Sequence, residues 1–196
     1  TRGSVIRLSN ANEPPGTPAR TEFLTRHADH ARELDGSRLL TAAHDTQRRG
    51  DGENVIEDPL AAAIDVIGIN NYCGWYGPLE PRACATIRWR SDYGKPVIMS
   101  EFGGGALRGQ HGPADQRWTE EYQADVYRYN LQMIDGIEFL RGMTPWILMD
   151  FRSPRRPLPG IQDYWNRKGL LSENVEKKSA WQLVRDYYVA KEEAAR

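Results

Sequence analysis

The chain alternates between short, nearly continuous apolar runs and longer segments in which apolar residues recur every three or four positions. The short runs predict strands, because branched apolar residues in such runs suit a strand buried on both faces. Strands are predicted over residues 4–9, 39–43, 63–70, 95–100 and 144–151. The longer segments predict helices over residues 18–35, 80–92, 119–140 and 178–194. This alternation favours an α/β fold with a parallel sheet.

Polar residues stand at or just after the carboxyl ends of several predicted strands. They are Asn12, Glu13, Asn70, Asn71, Tyr72, Glu101 and Asp150. A (β/α)₈ barrel builds its active site at that face, although an open doubly wound sheet also binds ligands at its strand ends. The three glycines at 103–105 lack the GxGxxG spacing of a phosphate-binding loop. We therefore expect no nucleotide cofactor.

The composition argues against several classes of partner. The 196 residues carry a formal net charge of −1, which gives no reason to expect a nucleic acid or an anionic membrane surface. No run approaches about 18 apolar residues, so no transmembrane helix is predicted. The two cysteines, Cys73 and Cys84, lack metal-ligand spacing, and we expect no metal site. We expect two unpaired thiols, and a disulfide between them is the alternative.

Glu13 and Glu101 share one local pattern, an apolar strand followed by glutamate and then by residues that bend the chain. Two carboxyl groups facing each other across a sugar ring are what glycoside hydrolysis requires. Tyr72 is a candidate donor to a carboxylate nucleophile, and Asn12 could hold a sugar hydroxyl. The alternative is that each glutamate is a solvated loop residue or a helix-cap partner.

Several longer motifs carry a resemblance to a known family. They are "SNANEP", "NNYCGWYG", "KPVIMSEFGGG", "EEYQADVY", "PWILMDFRSPRR" and "WNRKGLLSENVEKKSAW". In this order they resemble the catalytic TIM barrel of glycoside hydrolase family 2, and among its members the β-glucuronidases. The resemblance covers residues 4–189, nearly the whole chain.

The resemblance implies a retaining exo-β-glycosidase that needs no cofactor. It implies that Glu13 is the general acid/base and Glu101 the nucleophile, with the two carboxyl groups close to 5 Å apart. It further implies that Tyr72 positions the nucleophile, that Asn12 binds the 2-hydroxyl, and that Trp146 forms part of the sugar platform.

The "WNRKG" stretch bears on the substrate. Asn166 and Lys168 match a motif with which β-glucuronidases hold the C6 carboxylate of the sugar, and an ammonium with an amide favours a uronate over a neutral hexose. The alternative is that Lys168 is a surface lysine in a basic segment with Arg167, Lys177 and Lys178.

Other aromatic and basic residues are expected to have no role at the site. We expect Trp75 and Tyr76 to pack beneath their loop. Arg152, Arg155 and Arg156 lie in a proline-rich loop, where arginines are usually solvated or paired with acids. The alternative is that they meet an acidic substrate.

Five strands are fewer than the eight of a complete barrel. By resemblance they are strands 4 to 8, so we expect residues 1–196 to be the C-terminal part of a barrel, completed by N-terminal segments or by another copy in a homo-oligomer. Two departures from the family pattern, Cys73 and the stretch "WILMDF", leave open a β-galactosidase or another neutral-sugar enzyme. A third possibility is a non-catalytic carbohydrate-binding fragment.

Overall fold

The computed structural model describes residues 7–44, 47–49 and 52–196. The chain forms two compact units. The first comprises residues up to Asn71 together with Ile87–Ser100 and Gly136–Met143. The second comprises Tyr72–Thr86, Glu101–Asp135 and Thr144–Arg196.

The described residues form strands, α-helices and short 3-10 helices. The strands are β1 (Arg7–Asn12), β2 (Leu39–His44), β3 (Gln47–Arg49), β4 (Glu53–Ile56), β5 (Val66–Asn71), β6 (Arg88–Ser91), β7 (Val97–Phe102), β8 (Leu140–Pro145), β9 (Phe151–Arg152) and β10 (Trp165–Asn166). The α-helices are α1 (Pro18–Leu34), α2 (Glu120–Asp135) and α3 (Ser179–Ala194). The 3-10 helices span Pro59–Ala62 and Pro81–Thr86.

The main sheet has the strand order β1-β2-β5-β7-β8. β1 pairs with β2 and β2 with β5, both in parallel. Every residue of β5 is buried, as its continuous apolar sequence predicted. Gly68 of β5 is required here, since a Cβ would lie 2.8 Å from the Ala42 carbonyl oxygen of the neighbouring strand.

Four of the five predicted strands are confirmed as β1, β2, β5 and β7, with ends shifted by a few residues. Val5 and Ile6, which supported the first of them, lie outside the described residues. The fifth was placed too late, because β8 spans Leu140–Pro145 and not 144–151. The apolar run continues past Pro145, but Ile147 donates its backbone N–H to the Lys168 carbonyl, in a pairing with a later segment.

The helix predictions are confirmed at both ends of the chain and need correction between them. α1 begins after Thr17, whose side chain accepts from the Arg20 N–H as an N-cap. α2 begins as predicted after Thr119, whose hydroxyl accepts from the Tyr122 N–H, but it ends at Asp135. Gly136 follows directly, and a glycine there ends a helix readily.

The predicted helix over 80–92 is wrong. The 3-10 helix Pro81–Thr86 and strand β6 occupy this segment. β6 pairs in parallel with β4, and β4 pairs antiparallel with β3. This small sheet was not predicted, since a polar strand such as "RWRS" carries no apolar run.

The expectation of two unpaired thiols is also wrong. Cys73 and Cys84 form a disulfide, with their Cα atoms 5.9 Å apart. Sequence spacing could not show this pairing, because it depends on how the 3-10 helix folds back toward Cys73.

None of the helices that the structure describes combines the length and apolar character needed to cross a membrane.

A partly buried ion pair fastens α1 to the rest of the first unit. Arg20 donates from both Nη atoms to the Asp58 carboxylate, at 2.9 and 3.0 Å. Nδ1 of His44, a fully buried side chain at the end of β2, lies 3.1 Å from Asp58 Oδ2. Burial raises the pKa of Asp58, but the adjacent His44 ring and the hydrogen bonds from Arg20 outweigh it and hold this pKa far below its usual range.

Replacing Asp58 by Asn tests this ion pair. We expect Asp58→Asn to lower the free energy of unfolding by about 2 kcal/mol near pH 7, since hydrogen bonds to a charged group are lost. Because folding lowers the pKa of Asp58, its contribution is complete above about pH 4 and declines below that. Urea unfolding should therefore show a smaller difference between wild type and variant at pH 3 than at pH 7.

The matched control is Asp29→Asn, because Asp29 is 66% exposed and lies 3.6 Å from Arg32 on the same helix. An exposed pair of this kind contributes about 1 kcal/mol at most. An equal loss in the two variants would contradict the role assigned to Asp58.

Candidate active site

Glu13 follows directly after β1 in an unusual backbone conformation. Its φ is +46°, in the left-handed region that non-glycine residues seldom adopt. The Glu13 N–H donates to the Ala43 carbonyl of β2 at 3.0 Å, and Pro14 follows with a restricted φ. The chain therefore leaves the sheet in a defined direction at Glu13, which is exposed.

A buried amide holds the Glu13 side chain. Asn70 Nδ2 donates to Glu13 Oε1 at 2.9 Å and to Asn12 Oδ1 at 3.0 Å. The Ser100 hydroxyl lies 2.7 Å from Asn70 Oδ1, so that oxygen acts as an acceptor and the amino group faces the carboxylate. The ends of β1, β5 and β7 thus bring Asn12, Glu13 and Asn70 together within the first unit.

Glu101 has a phenol as its partner in the second unit. Tyr72 Oη donates to Glu101 Oε2 at 2.5 Å. Tyr72 lies partly buried against a cluster of Trp75, Tyr122 and Val126. A hydroxyl that donates to a carboxylate stabilises its ionised form and limits its rotation.

The glycines after Glu101 allow backbone and aromatic rings to approach closely. Gly103 has φ +142°, and a Cβ there would lie 2.4 Å from Tyr127 Oη and 3.0 Å from the Trp146 carbonyl oxygen. A Cβ on Gly105 would lie 2.9 Å from the Trp118 ring. The run "GGG" therefore serves packing.

Trp146 is held beside the segment that carries Glu101. Its N–H donates to the Phe102 carbonyl at 2.8 Å, and its half-buried ring stands edge to face with Phe151, with 6.2 Å between centroids. The Trp146 backbone therefore follows the end of β7 within the second unit.

Lys168 is almost fully buried, although a lysine in a basic segment is usually solvated. Lys168 Nζ donates to Tyr76 Oη at 2.6 Å and lies over the Tyr76 ring, 4.7 Å from its centroid. Burial lowers the pKa of Lys168, while Tyr76 and the negative charge of Glu101 partly oppose that shift. Asn166 Oδ1 accepts the Lys168 N–H at 3.1 Å, which fixes the turn between these two residues.

A cavity of about 240 Å³ adjoins this lysine. Its lining is Trp75, Tyr76, Arg117, Trp118, Arg156, Gln162, Asn166, Arg167 and Lys168. Three arginines and a lysine are among these described residues, and none of the nine is Asp or Glu. Such a lining favours an anionic ligand with apolar faces, and the volume is below the roughly 300–1,000 Å³ of pockets for drug-sized ligands.

Arg156 also contacts the phenol oxygen that Lys168 reaches. Arg156 Nη2 donates to Tyr76 Oη at 3.2 Å. Burial raises the pKa of Tyr76, but Lys168 and Arg156 together lower it below its usual value. Arg156 therefore contacts a tyrosine at the cavity, a partner that its sequence position did not indicate.

An ion pair buried in the second unit fixes the segment that carries Asn166 and Lys168. Lys178 Nζ lies 2.8 and 3.0 Å from the two oxygens of Asp150, and it also donates to the carbonyls of Ala106 (2.7 Å) and Arg167 (3.1 Å). The Gly169 N–H donates to Asp150 Oδ1 at 2.8 Å. Burial raises the pKa of Asp150 and lowers that of Lys178, and the charge of each partner opposes the shift of the other.

The structure thus groups the predicted residues into three sets. Asn12 and Glu13 share the donor Asn70 in the first unit. Tyr72 and Glu101 form a pair in the second. Asn166 and Lys168 line the cavity there, and the structure also places Trp146 in this unit. That Glu13 and Glu101 meet at one sugar ring stays a prediction.

Sequence reasoning assigned no role to Asn70 and treated Tyr76 as a packing residue. Asn70 had a signal, since it is one of the polar residues at the end of a buried strand. Trp75 does pack as expected, but Tyr76 is half-exposed and contacts Lys168. That contact joins residues 92 positions apart, so it could not be seen locally.

Among the described residues, no group of three or more His, Cys, Asp or Glu side chains could hold a metal ion.

Comparison with known proteins identifies a family model and several relatives. Residues 2–191 match the model "Glycosyl hydrolases family 2, TIM barrel domain". A β-glucuronidase of Paenibacillus borealis is 28% identical over 198 residues, which cover 93% of this chain and 30% of that protein. A β-glucuronidase of Canis lupus familiaris is 31% identical over 196 residues, which cover 94% of this chain and 28% of that protein.

Solved structures show the same fold. A family 2 β-galacturonidase of Eisenbergiella tayi, bound to glycerol, superposes with a TM-score of 0.79 at 25% identity. The match covers 96% of this chain and 33% of the other. The chain therefore spans about a third or less of the length of each of these proteins.

The close approach at Gly103 generates a prediction. Gly103→Ala should lower the free energy of unfolding by at least about 2 kcal/mol, because the Cβ meets Tyr127 and the backbone is held at a φ that suits glycine alone. Chemical denaturation measures this loss.

The control is Gly109→Ala, where φ is +80° but nothing lies within 4 Å of the added Cβ. Only the backbone cost of about 1 kcal/mol is expected there. A Gly103→Ala variant as stable as Gly109→Ala would contradict the packing role.

Proposed function

The chain belongs to the TIM-barrel domain of the family 2 glycosyl hydrolases, and on that basis we propose that it is the C-terminal part of the barrel of a retaining exo-β-glycosidase that acts on β-D-glucuronides. The parallel pairing of β1, β2 and β5 agrees with part of such a barrel, the fold that the sequence predicted. The glucuronidase relatives support this choice of substrate.

In the proposed reaction Glu101 attacks the anomeric carbon. The hydrogen bond from Tyr72 supports this role, since it favours the carboxylate over the acid and points one oxygen in a fixed direction. Glu13 protonates the leaving oxygen and later deprotonates the attacking water, as a general acid/base does in double displacement. Asn70 supports this role because it orients the Glu13 carboxyl group and the Asn12 amide together.

The cavity beside Lys168 is the observation that carries the proposed substrate class. A sugar carboxylate placed there would meet the buried Lys168 ammonium and the Arg156 guanidinium, with Asn166 in the same lining. The ammonium is already desolvated in the free protein, so an anion that pairs with it recovers part of that cost. A neutral hexose offers no such charge, and we therefore place β-galactosides second.

A β-galacturonide is a further candidate, because the relative from Eisenbergiella tayi is a β-galacturonidase. Its carboxylate would satisfy the same cations, and the two uronides differ only in the configuration at C4. Parallel assays with a glucuronide, a galacturonide and a galactoside that share one chromogenic aglycone decide among the three. Activity on none of them would favour a non-catalytic carbohydrate-binding module.

Substitution of the two glutamates tests the mechanism. In the full-length protein, Glu101→Gln and Glu13→Gln should each lower kcat on a phenyl glucuronide by several orders of magnitude with little change in thermal stability. A substrate whose leaving group is a strongly acidic phenol distinguishes the acid/base from the nucleophile. Glu13→Gln should retain bond cleavage there, since such a leaving group departs without a proton, whereas Glu101→Gln should not.

Rescue by azide is a second way to distinguish the roles of Glu13 and Glu101. Azide should rescue Glu13→Ala with formation of a β-azide and Glu101→Ala with formation of an α-azide, because it replaces water in the first variant and the nucleophile in the second. Rates near those of wild type in either variant, or the opposite stereochemistry, would contradict these roles.

Removal of the Lys168 charge tests the substrate class. Lys168→Met keeps most of the side-chain volume and should lower kcat/KM on the glucuronide by on the order of 10²-fold, since a charge-assisted contact to the carboxylate is lost. The value for the galactoside should change much less.

Lys177→Met is the matched control, because Lys177 is exposed and lies over the Trp181 ring, 3.9 Å from its centroid. It should leave both substrates unaffected. An equal loss on glucuronide and galactoside in Lys168→Met would argue against recognition of a carboxylate.

A further inference from the structure

We propose that the Cys73–Cys84 disulfide is a positioning element of the reaction proposed above. It fixes the loop Tyr72–Tyr76, which connects the hydrogen bond to Glu101 with the contact to Lys168. The inference rests on the proposed function, and it assigns a role to two cysteines that the mechanism does not otherwise use.

The loop Tyr72–Tyr76 contacts both chemical groups of the second unit. At its start, Tyr72 Oη donates to Glu101 at 2.5 Å. At its end, Tyr76 Oη accepts from Lys168 Nζ at 2.6 Å. Trp75 between them lines the cavity. A shift of this loop would therefore disturb the nucleophile and the cationic cavity together.

The loop is a tight turn that neighbouring elements hold on two sides. Trp75 and Tyr76 donate their N–H groups to the Tyr72 carbonyl at 2.9 and 3.1 Å. α2 holds one side, since Tyr122 Oη donates to the Gly74 carbonyl at 2.7 Å and Asn130 Nδ2 to the Cys73 carbonyl at 3.0 Å.

The 3-10 helix Pro81–Thr86 holds the other side. Cys84 of this helix is fully buried and forms the disulfide with Cys73. Gly74, at φ +80°, lies against it so closely that a Cβ would be 2.9 Å from Pro81 Cα. The disulfide fastens this contact covalently, one residue from Tyr72.

The disulfide matters here because the connection between the loop and the 3-10 helix is exposed. Gly77 and Pro78, between the loop and the 3-10 helix, are exposed. Short 3-10 helices have weak hydrogen bonds of their own. Without the disulfide, the contact between the 3-10 helix and Gly74 is held by packing alone. The loop then keeps its hydrogen bonds to α2, Glu101 and Lys168 but loses its covalent tie to the 3-10 helix.

A double-mutant cycle tests the inference in the full-length protein, with an aryl β-glucuronide as the substrate. Cys73→Ser/Cys84→Ser should lower kcat/KM on the order of 10- to 100-fold, as small misplacements of catalytic groups do. In a Tyr72→Phe background the same cysteine substitutions should cost about threefold or less, because residues that act as one unit are not additive. A second cycle with Tyr76→Phe should show the same non-additivity in KM.

Two further measurements serve as controls, one for an effect of stability alone and one for the presence of the disulfide. Asp58→Asn lowers stability in the first unit without touching the loop, and its kcat/KM should match that of wild type at a temperature where each variant is folded. Tryptic peptide 83–88 should appear in non-reducing digests only as a disulfide-linked species.

If the serine variant does not fold, reduction of folded wild type replaces it. A water-soluble phosphine takes an oxygen from water to become its oxide, and the disulfide gains two electrons and two protons to become two thiols. Activity should fall in step with the loss of the linked peptide 83–88 and return on reoxidation.

The inference is overturned if peptide 83–88 is free before reduction, if kcat and KM do not change when the disulfide is absent, or if the cysteine and Tyr72 effects are additive. A wild-type protein inactive on every uronide would instead overturn the proposed function, and this inference with it. Active wild type with an equally active serine variant would overturn the inference alone.

Discussion

The second unit depends on the buried ion pair between Asp150 and Lys178. Taking an ammonium and a carboxylate out of water costs several kcal/mol per ion, and only close geometry with further hydrogen bonds offsets that cost. Here the ammonium also reaches the carbonyls of Ala106 and Arg167, and the carboxylate accepts from the Gly169 N–H. The pair therefore joins the glycine-rich segment after Glu101 to the segment that carries Lys168.

This arrangement explains how Lys168 can stay buried. Its neighbours on both sides, Arg167 and Gly169, are anchored to the ion pair, so the lysine is held in the cavity wall whether or not an anion is present. It contacts Tyr76 through a phenol oxygen, a weaker partner than a carboxylate. A site that keeps a desolvated cation in place before its ligand arrives is preorganised for an anion, and the proposed uronide supplies one.

The loop Tyr72–Tyr76 links this preorganised cation to the proposed nucleophile. In a retaining glycosidase the sugar must be held while the nucleophile attacks within a narrow range of directions. Because a single short loop contacts both Glu101 and Lys168, both requirements depend on where the backbone of that loop lies. The first unit offers a simpler arrangement, in which one buried amide, Asn70, orients both Asn12 and Glu13.

Local sequence was a good guide to the strands of the main sheet. Continuous Ile and Val in β5 suit a strand that is covered on both faces, and the apolar run of β7 also predicts a strand. The positions of these two strands therefore follow from local composition. The same reasoning failed where one apolar pattern fits both a helix and a strand. The residues after Gly136 continue the apolar spacing of α2 yet form β8, and Ile147 pairs with a segment 21 residues further along.

The sequence by itself determined the fold class, the family motifs and the chemical types at the strand ends, because these depend on residues close together in the chain. Only the tertiary structure decided that Arg167 and Lys178 are buried, that Cys73 and Cys84 are joined, and that Tyr76 and Arg156 meet Lys168 at one cavity. The physical reason is that burial and pairing of a charged or sulfur-bearing side chain depend on its spatial neighbours, and those neighbours come from distant parts of the chain.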